Sequence, residues 1–147
     1  MKVLITRVHK GEVFLGSKRL SAIKNGLAVF VGFEKGDNSG KLDDMAERVI
    51  NLRIFENQEG KMDYSLKDKN YELLCISNFT LTADASKGRR PSFESALNPQ
   101  EANKLFDGFV SILKAKGVTT QVGAFGKHMD INLALDGPVN ILLEKGS

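Results

Sequence analysis

The chain has 147 residues, of which 41% are hydrophobic and 27% charged, and its net charge is +3. These values are typical of one soluble globular domain, and the mild positive charge permits nucleic-acid contact without predicting it. No apolar run approaches the roughly 18 residues that span a bilayer. The first seven residues lack the pattern of a secretory signal, so we expect a cytoplasmic protein.

Four strands are predicted in the first quarter of the chain, because β-branched and apolar residues alternate or run continuously there. Gly11 is expected to end the first strand, and Asn25-Gly26 is a hairpin-turn dipeptide that leads into the most apolar run. The predicted strands are residues 2–9, 12–15, 19–23 and 27–33.

Two helices are predicted further along. Apolar residues recur at intervals of three and four over residues 42–52, which indicates a helix of about three turns. Asn98 can cap a second helix, with Pro99 at its first position, Glu101 completing a capping box and Gly117 at its end. A turn is expected at residues 56–60. The remaining predicted strands are residues 53–55, 71–77, 118–122, 129–135 and 139–144.

These elements predict a single α/β (α+β) domain over residues 1–147. We expect a mostly antiparallel, curled and barrel-like β-sheet of many strands, with the two main helices packed on it. The only cysteine, Cys75, lies in an apolar run, which excludes an internal disulfide and favours a small core residue over a nucleophile.

The common catalytic motifs are absent from the sequence. There is no Gly-x-x-x-x-Gly-Lys phosphate loop and no Gly-x-Ser-x-Gly turn. His9 and His128 have no second ligand at metal spacing, so no metal site is expected. His128 could act as a base for a hydroxyl, although a surface or structural role is the favoured interpretation.

One unusual segment is the point where the apolar strand before Ser77 becomes polar. The hydroxyls of Ser77 and Thr80 could hold water or an ester, and the N–H groups of Phe79 and Thr80 could bind an oxyanion. On spacing alone, a plain polar strand end explains this segment better. Three cations follow in the next loop, where they could contact a polyanion or simply be solvated. They are Lys87, Arg89 and Arg90.

A second unusual segment places Gly137-Pro138 between two apolar stretches. Proline cannot donate to a β-ladder, so a bend or an exposed edge is expected there. An X-Pro bond can adopt the cis form at low cost, but a plain turn is the default for this segment taken alone.

Together these segments resemble the D-aminoacyl-tRNA deacylase family over essentially the whole chain. The family's Gln-Arg-Val, Arg-Ile-Phe and Gly-Lys-Met are matched by Thr6-Arg7-Val8, Arg53-Ile54-Phe55 and Gly60-Lys61-Met62. Its Ser-Gln-Phe-Thr-Leu and Lys-Gly-x-Arg-Pro-x-Phe correspond to Ser77-Asn78-Phe79-Thr80-Leu81 and Lys87-Gly88-Arg89-Arg90-Pro91-Ser92-Phe93. Its Phe-Gly-x-x-Met and Asn-x-Gly-Pro-Val-Thr correspond to Phe125-Gly126-Lys127-His128-Met129 and Leu135-Asp136-Gly137-Pro138-Val139-Asn140.

The resemblance implies a homodimer with active sites at the subunit interface, which hydrolyses the ester of D-aminoacyl-tRNA without a metal or organic cofactor. It implies that a cis Gly137-Pro138 pair enters the partner's pocket, excludes L side chains and is oriented by Arg7. Ser77, Phe79 and Thr80 would then line the ester site, and the achiral glycyl ester is a further candidate substrate. The implied substrate-binding residues also include Asn78, Phe125 and Met129, and the implied tRNA-binding residues are Lys87, Arg89 and Arg90.

Three departures from the family pattern leave alternatives open. Asn78 replaces Gln, while Leu135 and Asn140 replace the Asn and Thr that flank the Gly-Pro pair. A relaxed chiral filter, a trans Gly-Pro bond or a paralogue with another aminoacyl-tRNA substrate remain alternatives. So do a non-catalytic tRNA-binding module and a general esterase that uses Thr80 with His128.

Overall fold

The main β-sheet is built around one long central strand, β1. In a computed structural model that describes residues 1–145, β1 pairs antiparallel with β3 and β2 along one edge and with β8 along the other. β3, β6 and β7 then follow as parallel neighbours. The strands are β1 (Lys2–Leu15), β2 (Lys18–Ile23), β3 (Gly26–Gly32), β4 (Phe55–Glu56), β5 (Met62–Tyr64), β6 (Glu72–Ser77), β7 (Thr120–Val122) and β8 (Asp130–Glu144).

Helices lie in the two connections between parallel strands, which need a crossover rather than a hairpin. The helices are α1 (Leu42–Asn51), α2 (Leu66–Lys69) and α3 (Pro99–Ala115), with short 3₁₀ turns at Ser39–Lys41 and Phe79–Thr82. α1 and α2 lie between β3 and β6, α3 lies between β6 and β7, and α1 packs against α3. No helix within residues 1–145 is long and apolar enough to cross a membrane.

The sheet is curled. As a result β2 contacts β6 and β7, although neither of these strands is hydrogen-bonded to β2. Side chains that alternate along β3 therefore enter two different cores. Leu27 and Val29 face the helices, whereas Ala28 belongs to a smaller cluster inside the curl with Val13 and Leu74. The predicted α/β domain with a curled sheet and two main helices is confirmed, and its sheet contains parallel as well as antiparallel pairs.

Two predicted strand breaks are wrong. Gly11 does not end the first strand, because β1 continues to Leu15. A side chain at Gly11 would lie 3.1 Å from Leu74 and 3.2 Å from Leu133, so glycine is explained there by close packing within the strand. The segments predicted at 129–135 and 139–144 form one strand, β8, which pairs with β1 on both sides of a bulge.

Smaller differences concern the middle of the chain. β4 begins at Phe55 and extends to Glu56, the latter predicted as turn, and it pairs with β5, which was not predicted. α2 was also missed, although Ser65 and Asp68 form a capping box at its start. At α3, the Asn98 side chain accepts the Glu101 N–H as predicted, but the Glu101 carboxylate accepts from the Asn98 side-chain amide instead of its backbone.

Candidate active site

A cleft of about 970 Å³ opens where β6 ends beside the start of α3. Its floor is apolar, with Ile76 and Val31 from the sheet and Ala102 from the helix. It brings together six of the residues predicted to form the site, from sequence segments nearly fifty residues apart. Those six are Ser77, Asn78, Phe79, Thr80, Phe125 and Met129.

The 3₁₀ turn after β6 fixes the polar side of the cleft. The Asn78 N–H donates to the Val31 carbonyl at 2.8 Å, and the Thr80 hydroxyl donates to Asn78 Oδ1 at 2.5 Å. Within residues 1–145, no protein acceptor pairs with the N–H groups of Phe79 or Thr80. Two backbone donors and a hydroxyl with free lone pairs are therefore available to a bound polar group.

Aromatic side chains border this polar side. Phe79 is 62% exposed, and its ring meets Phe93 edge to face, with ring centroids 5.2 Å apart. Phe125 lies against Phe106 of α3 at 6.0 Å. A ring as exposed as that of Phe79 beside a concave apolar surface is typical of a ligand site.

Met129 forms another part of the cleft wall, and its sulfur contacts the chain segment at residues 123 and 124. Its Sδ accepts the Ala124 N–H at 3.3 Å, and a side chain at Gly123 would come within 2.7 Å of the same sulfur. The absence of a side chain at Gly123 thus leaves room for Met129.

The Gly137-Pro138 pair lies in a bulge of β8. Thr6 pairs with Asn140 and Val8 with Leu135, so the intervening residues of β8 outnumber those of β1 and loop outward. Gly137 and Pro138 are exposed, and the peptide bond between them is cis. The alternative of a trans bond is therefore excluded.

Arg7 is the β1 residue opposite this bulge, and it is only 5% exposed. Its Nε donates to the Asp136 carbonyl at 3.0 Å and lies 3.3 Å from the Asp136 carboxylate. A second guanidinium nitrogen donates to the Ile54 carbonyl at 2.7 Å, and a third lies 3.5 Å from Glu56. Arg7 thus joins the bulge to the segment that leads into β4.

Thr6 and Asn140 contact each other beside the bulge. The Thr6 hydroxyl donates to Asn140 Oδ1 at 2.8 Å, across the register that pairs these two residues. Thr6 stands where the family has Gln, and Asn140 stands where it has Thr. The chain therefore has one hydroxyl and one carboxamide at these two positions, as the family pattern does, with their order exchanged.

Other predicted residues lie outside the cleft. Gly137, Pro138 and Arg7 do not line it. Lys87, Arg89 and Arg90 are exposed in a loop whose ends are joined by two hydrogen bonds of 2.8 Å between Asp84 and Ser92. The cleft and the basic loop are linked along the chain through the 3₁₀ turn at Phe79–Thr82 and through Phe93.

Sequence reasoning missed part of the cleft wall. Phe33 was identified only as the end of a predicted strand, and Leu97 was assigned to no element. The Leu97 N–H donates to the Phe33 carbonyl, and both residues line the cleft. Lys127 was quoted only as a variable position of a motif, yet it lines the cleft as well. Its place beside Phe125 and Met129 was the one sequence signal that could have identified it.

The remaining titratable candidates have other surroundings. His128 lines the cleft but is 91% exposed, lies 3.7 Å from Asp130, and forms no hydrogen bond with Thr80. Cys75 is fully buried, as predicted, and burial raises the pKa of its thiol. No group of three or more metal-ligating side chains occurs in the described part of the chain.

Comparison with known proteins assigns the chain to a family. The family model for D-Tyr-tRNA(Tyr) deacylase matches residues 4–144. The chain belongs to the D-Tyr-tRNA(Tyr) deacylase family. The D-aminoacyl-tRNA deacylase of Clostridium perfringens is 45% identical over 98% of this chain and 97% of its own length. That of Alcanivorax borkumensis is 44% identical over 98% and 99%.

A solved structure, the c-Myc DNA unwinding element binding protein, superposes with a TM-score of 0.95 at 35% identity, covering 100% of both chains. Membership in the deacylase family confirms the expectation from the motifs, including the class of enzyme. The matched region contains both the cleft and the β8 bulge.

Proposed function

We propose that the chain hydrolyses the ester bond of D-aminoacyl-tRNA and releases the free D-amino acid and tRNA. The observation that carries this proposal is the cleft, which gathers Ser77, Phe79 and Thr80 beside Phe125 and Met129 in a member of this enzyme family. A cleft with an apolar floor and few polar groups suits the amino-acid side chain and the ester, respectively.

The reaction follows from the donors at the 3₁₀ turn. Water attacks the ester carbonyl, and the N–H groups of Phe79 and Thr80 stabilise the negative charge that develops on the carbonyl oxygen. The bond to the ribose oxygen then breaks, and a proton from the attacking water passes to that leaving oxygen. Asn78 accepts from the Thr80 hydroxyl, but a carboxamide is too weak a base to activate it. We therefore assign attack to water assisted by the neighbouring ribose hydroxyl, with Thr80 as an orienting group.

Selection of the D form is assigned to Gly137 and Pro138 of a second subunit. Both residues are exposed in the β8 bulge and do not line the cleft of their own chain, so they can contact substrate only in another copy. A side chain at Gly137 would come within 2.2 Å of the Val139 nitrogen, which explains why glycine is needed there. The proposal therefore includes a homodimer, with Arg7 as the residue that orients the bulge.

The filter acts on the side chain of the wrong hand, so it does not exclude glycine, which has none. We accordingly include glycyl-tRNA as a second substrate. The tRNA is proposed to contact the exposed loop that contains Lys87, Arg89 and Arg90, and no cofactor is required. Because charged tRNA is used in translation, we propose a cytoplasmic location.

The test is deacylation of matched D- and L-tyrosyl-tRNA by the purified protein in the presence of a chelator. We expect rapid loss of the D ester only. Loss of both esters would mean that the chiral filter is relaxed in this chain, in which Leu135 and Asn140 replace the family's Asn and Thr. Loss of neither ester would contradict the proposal. A tRNA charged with another amino acid should be assayed in parallel. Its hydrolysis in place of the D-tyrosyl ester would reveal a paralogue with altered specificity.

A non-catalytic tRNA-binding module is a second candidate. It is favoured by the exposed basic loop and by the likeness to a protein named for DNA binding. This function would give tRNA binding that weakens steeply with salt, without turnover of any ester. A general esterase that uses His128 with Thr80 has less support, since these two residues share no hydrogen bond.

A further inference from the structure

Within residues 1–145, the wall of the cleft contains a lysine and a histidine but no acidic side chain. The two basic residues are Lys127 and His128. In contrast, Lys87, Arg89 and Arg90 do not line it. Lys127 forms no ion pair within residues 1–145, and the 3.7 Å between His128 Nε2 and Asp130 exceeds hydrogen-bond length. Both side chains are therefore able to donate to an anion.

The turn that bears these two residues is fixed at both ends. Phe125, which precedes the turn, packs on Phe106. Met129, which follows the turn, accepts the Ala124 N–H through its sulfur. The Lys127 N–H closes the turn by donating to the Ala124 carbonyl at 3.3 Å. A short turn held in this way presents its side chains at a defined place, which lowers the entropy lost on binding.

We infer that Lys127 and His128 bind the phosphate of the terminal nucleotide of the substrate. The inference rests on the proposed function, because the ester and this phosphate are attached to the same ribose. A cleft that holds the ester must therefore have the phosphate close by, and Lys127 and His128 are the basic side chains that line it within residues 1–145. Lys127 supplies the permanent charge, and His128 supplies a ring N–H donor beside it.

The decisive experiment compares D-tyrosyl esters with and without the phosphate. The substrates are D-tyrosyl-tRNA, the D-tyrosyl ester of adenosine 5′-monophosphate and the D-tyrosyl ester of adenosine. For Lys127→Ala we expect KM to rise about tenfold on the first two substrates, with kcat nearly unchanged. We expect no change on the adenosine ester. His128→Ala should give a smaller rise in KM with the same selectivity.

Two controls accompany these variants. Lys127→Arg should restore most of the affinity, because it keeps the charge. Lys18→Ala removes an exposed lysine of β2 that is outside the cleft, and it should leave all three substrates unaffected. An equal loss on all three esters for Lys127→Ala would overturn the inference, as would no loss on tRNA.

A binding measurement separates this inference from the proposed function. The probes are two amide-linked, non-hydrolysable conjugates of D-tyrosine, one with adenosine 5′-monophosphate and one with adenosine. Calorimetry should show that the wild type prefers the phosphorylated probe and that Lys127→Ala loses this preference. If the wild type turned over no D ester, the proposed function would fail while this comparison would still decide the phosphate site. Equal binding of both probes by the wild type would refute the site.

Discussion

The Thr80 hydroxyl is the candidate nucleophile of the cleft, and its hydrogen bond indicates its role. It donates to Asn78 Oδ1, so its proton already points toward an acceptor that does not remove it at neutral pH. The oxygen keeps lone pairs that can accept from a substrate amine or from water. Asn78, which replaces the family's Gln, thus has a local partner in spite of its shorter side chain.

This geometry predicts a modest effect for Thr80→Val, which keeps the branched shape and removes the hydroxyl. We expect kcat on D-tyrosyl-tRNA to fall by less than about tenfold, because the water and the backbone donors remain. Thr80→Ser is the matched control and should retain nearly full activity. If Thr80 were the nucleophile, its loss would lower kcat by roughly four orders of magnitude or more, with Thr80→Ser still active.

At the scale of elements, the site depends on the parallel pairing of β3 and β6, which sets where β6 ends. At the start of this pairing the two strands approach closely. A side chain on Gly26 would lie 1.8 Å from the Glu72 carbonyl oxygen, which belongs to the backbone and cannot rotate away. Only glycine fits at this position.

We therefore predict that Gly26→Ala lowers the free energy of unfolding by more than about 4 kcal/mol, or prevents folding. Gly16→Ala is the control. Gly16 also has a constrained backbone, with φ of 60°, but no atom of residues 1–145 lies within 4 Å of a side chain added there. Its cost should be only about 1 kcal/mol. Urea unfolding measures both, and a similar small loss for the two variants would show that β3 and β6 can separate without cost.

Element boundaries show which information the sequence carries and which it lacks. The α3 cap and the α1 apolar stripe are local patterns, and both helices were predicted correctly. The continuity of β1 through Gly11 depends on Leu74 and Leu133, which are distant in sequence. Similarly, β8 continues past Gly137-Pro138 because its two halves both pair with β1. Contacts of this kind decide strand ends, and no local pattern reports them.

The same limit applies to the site. The segment from Ser77 to Thr80 could be identified because polar residues follow an apolar strand, and the family motifs named Phe125 and Met129. The cleft wall formed by Phe33 and Leu97 could not be predicted, since it arises where two loops meet. The roles of Gly137 and Pro138 stay a prediction.

At the scale of the whole molecule, Asp37 connects distant parts of the chain. Its carboxylate accepts from the Met1 ammonium at 2.9 Å and from Lys41 at 2.8 Å, and also from the Glu34 N–H. The Met1 ammonium in turn donates to the Lys145 carbonyl at 3.0 Å. Burial alone would raise the pKa of Asp37, but the hydrogen bonds from Lys41, the N-terminal ammonium and Glu34 outweigh it and lower the pKa.

A lowered pKa in the folded state means that ionised Asp37 stabilises the fold above the unfolded-state pKa, near pH 4. This stabilisation is lost as the pH falls toward the folded-state pKa. We predict that Asp37→Asn lowers the free energy of unfolding by about 3 kcal/mol at pH 7, because buried cations lose their partner. The deficit should shrink below pH 4. The control, Asp107→Asn on the exposed face of α3, should change the free energy of unfolding little. Equal losses for Asp37→Asn at pH 7 and below pH 4 would contradict the assignment.

The pairing of β1 with β8 has a consequence for synthesis. β1 leaves the ribosome before β8, its partner along one whole edge, which is made more than a hundred residues later. Such non-local pairing slows folding and leaves a strand edge open on the nascent chain. The cleft between β6 and α3 can start to assemble earlier, but Arg7 has no β8 bulge to contact until β8 has been made. A product that ends before β8 would therefore lack the Gly137-Pro138 bulge, to which we assign selection of the D form.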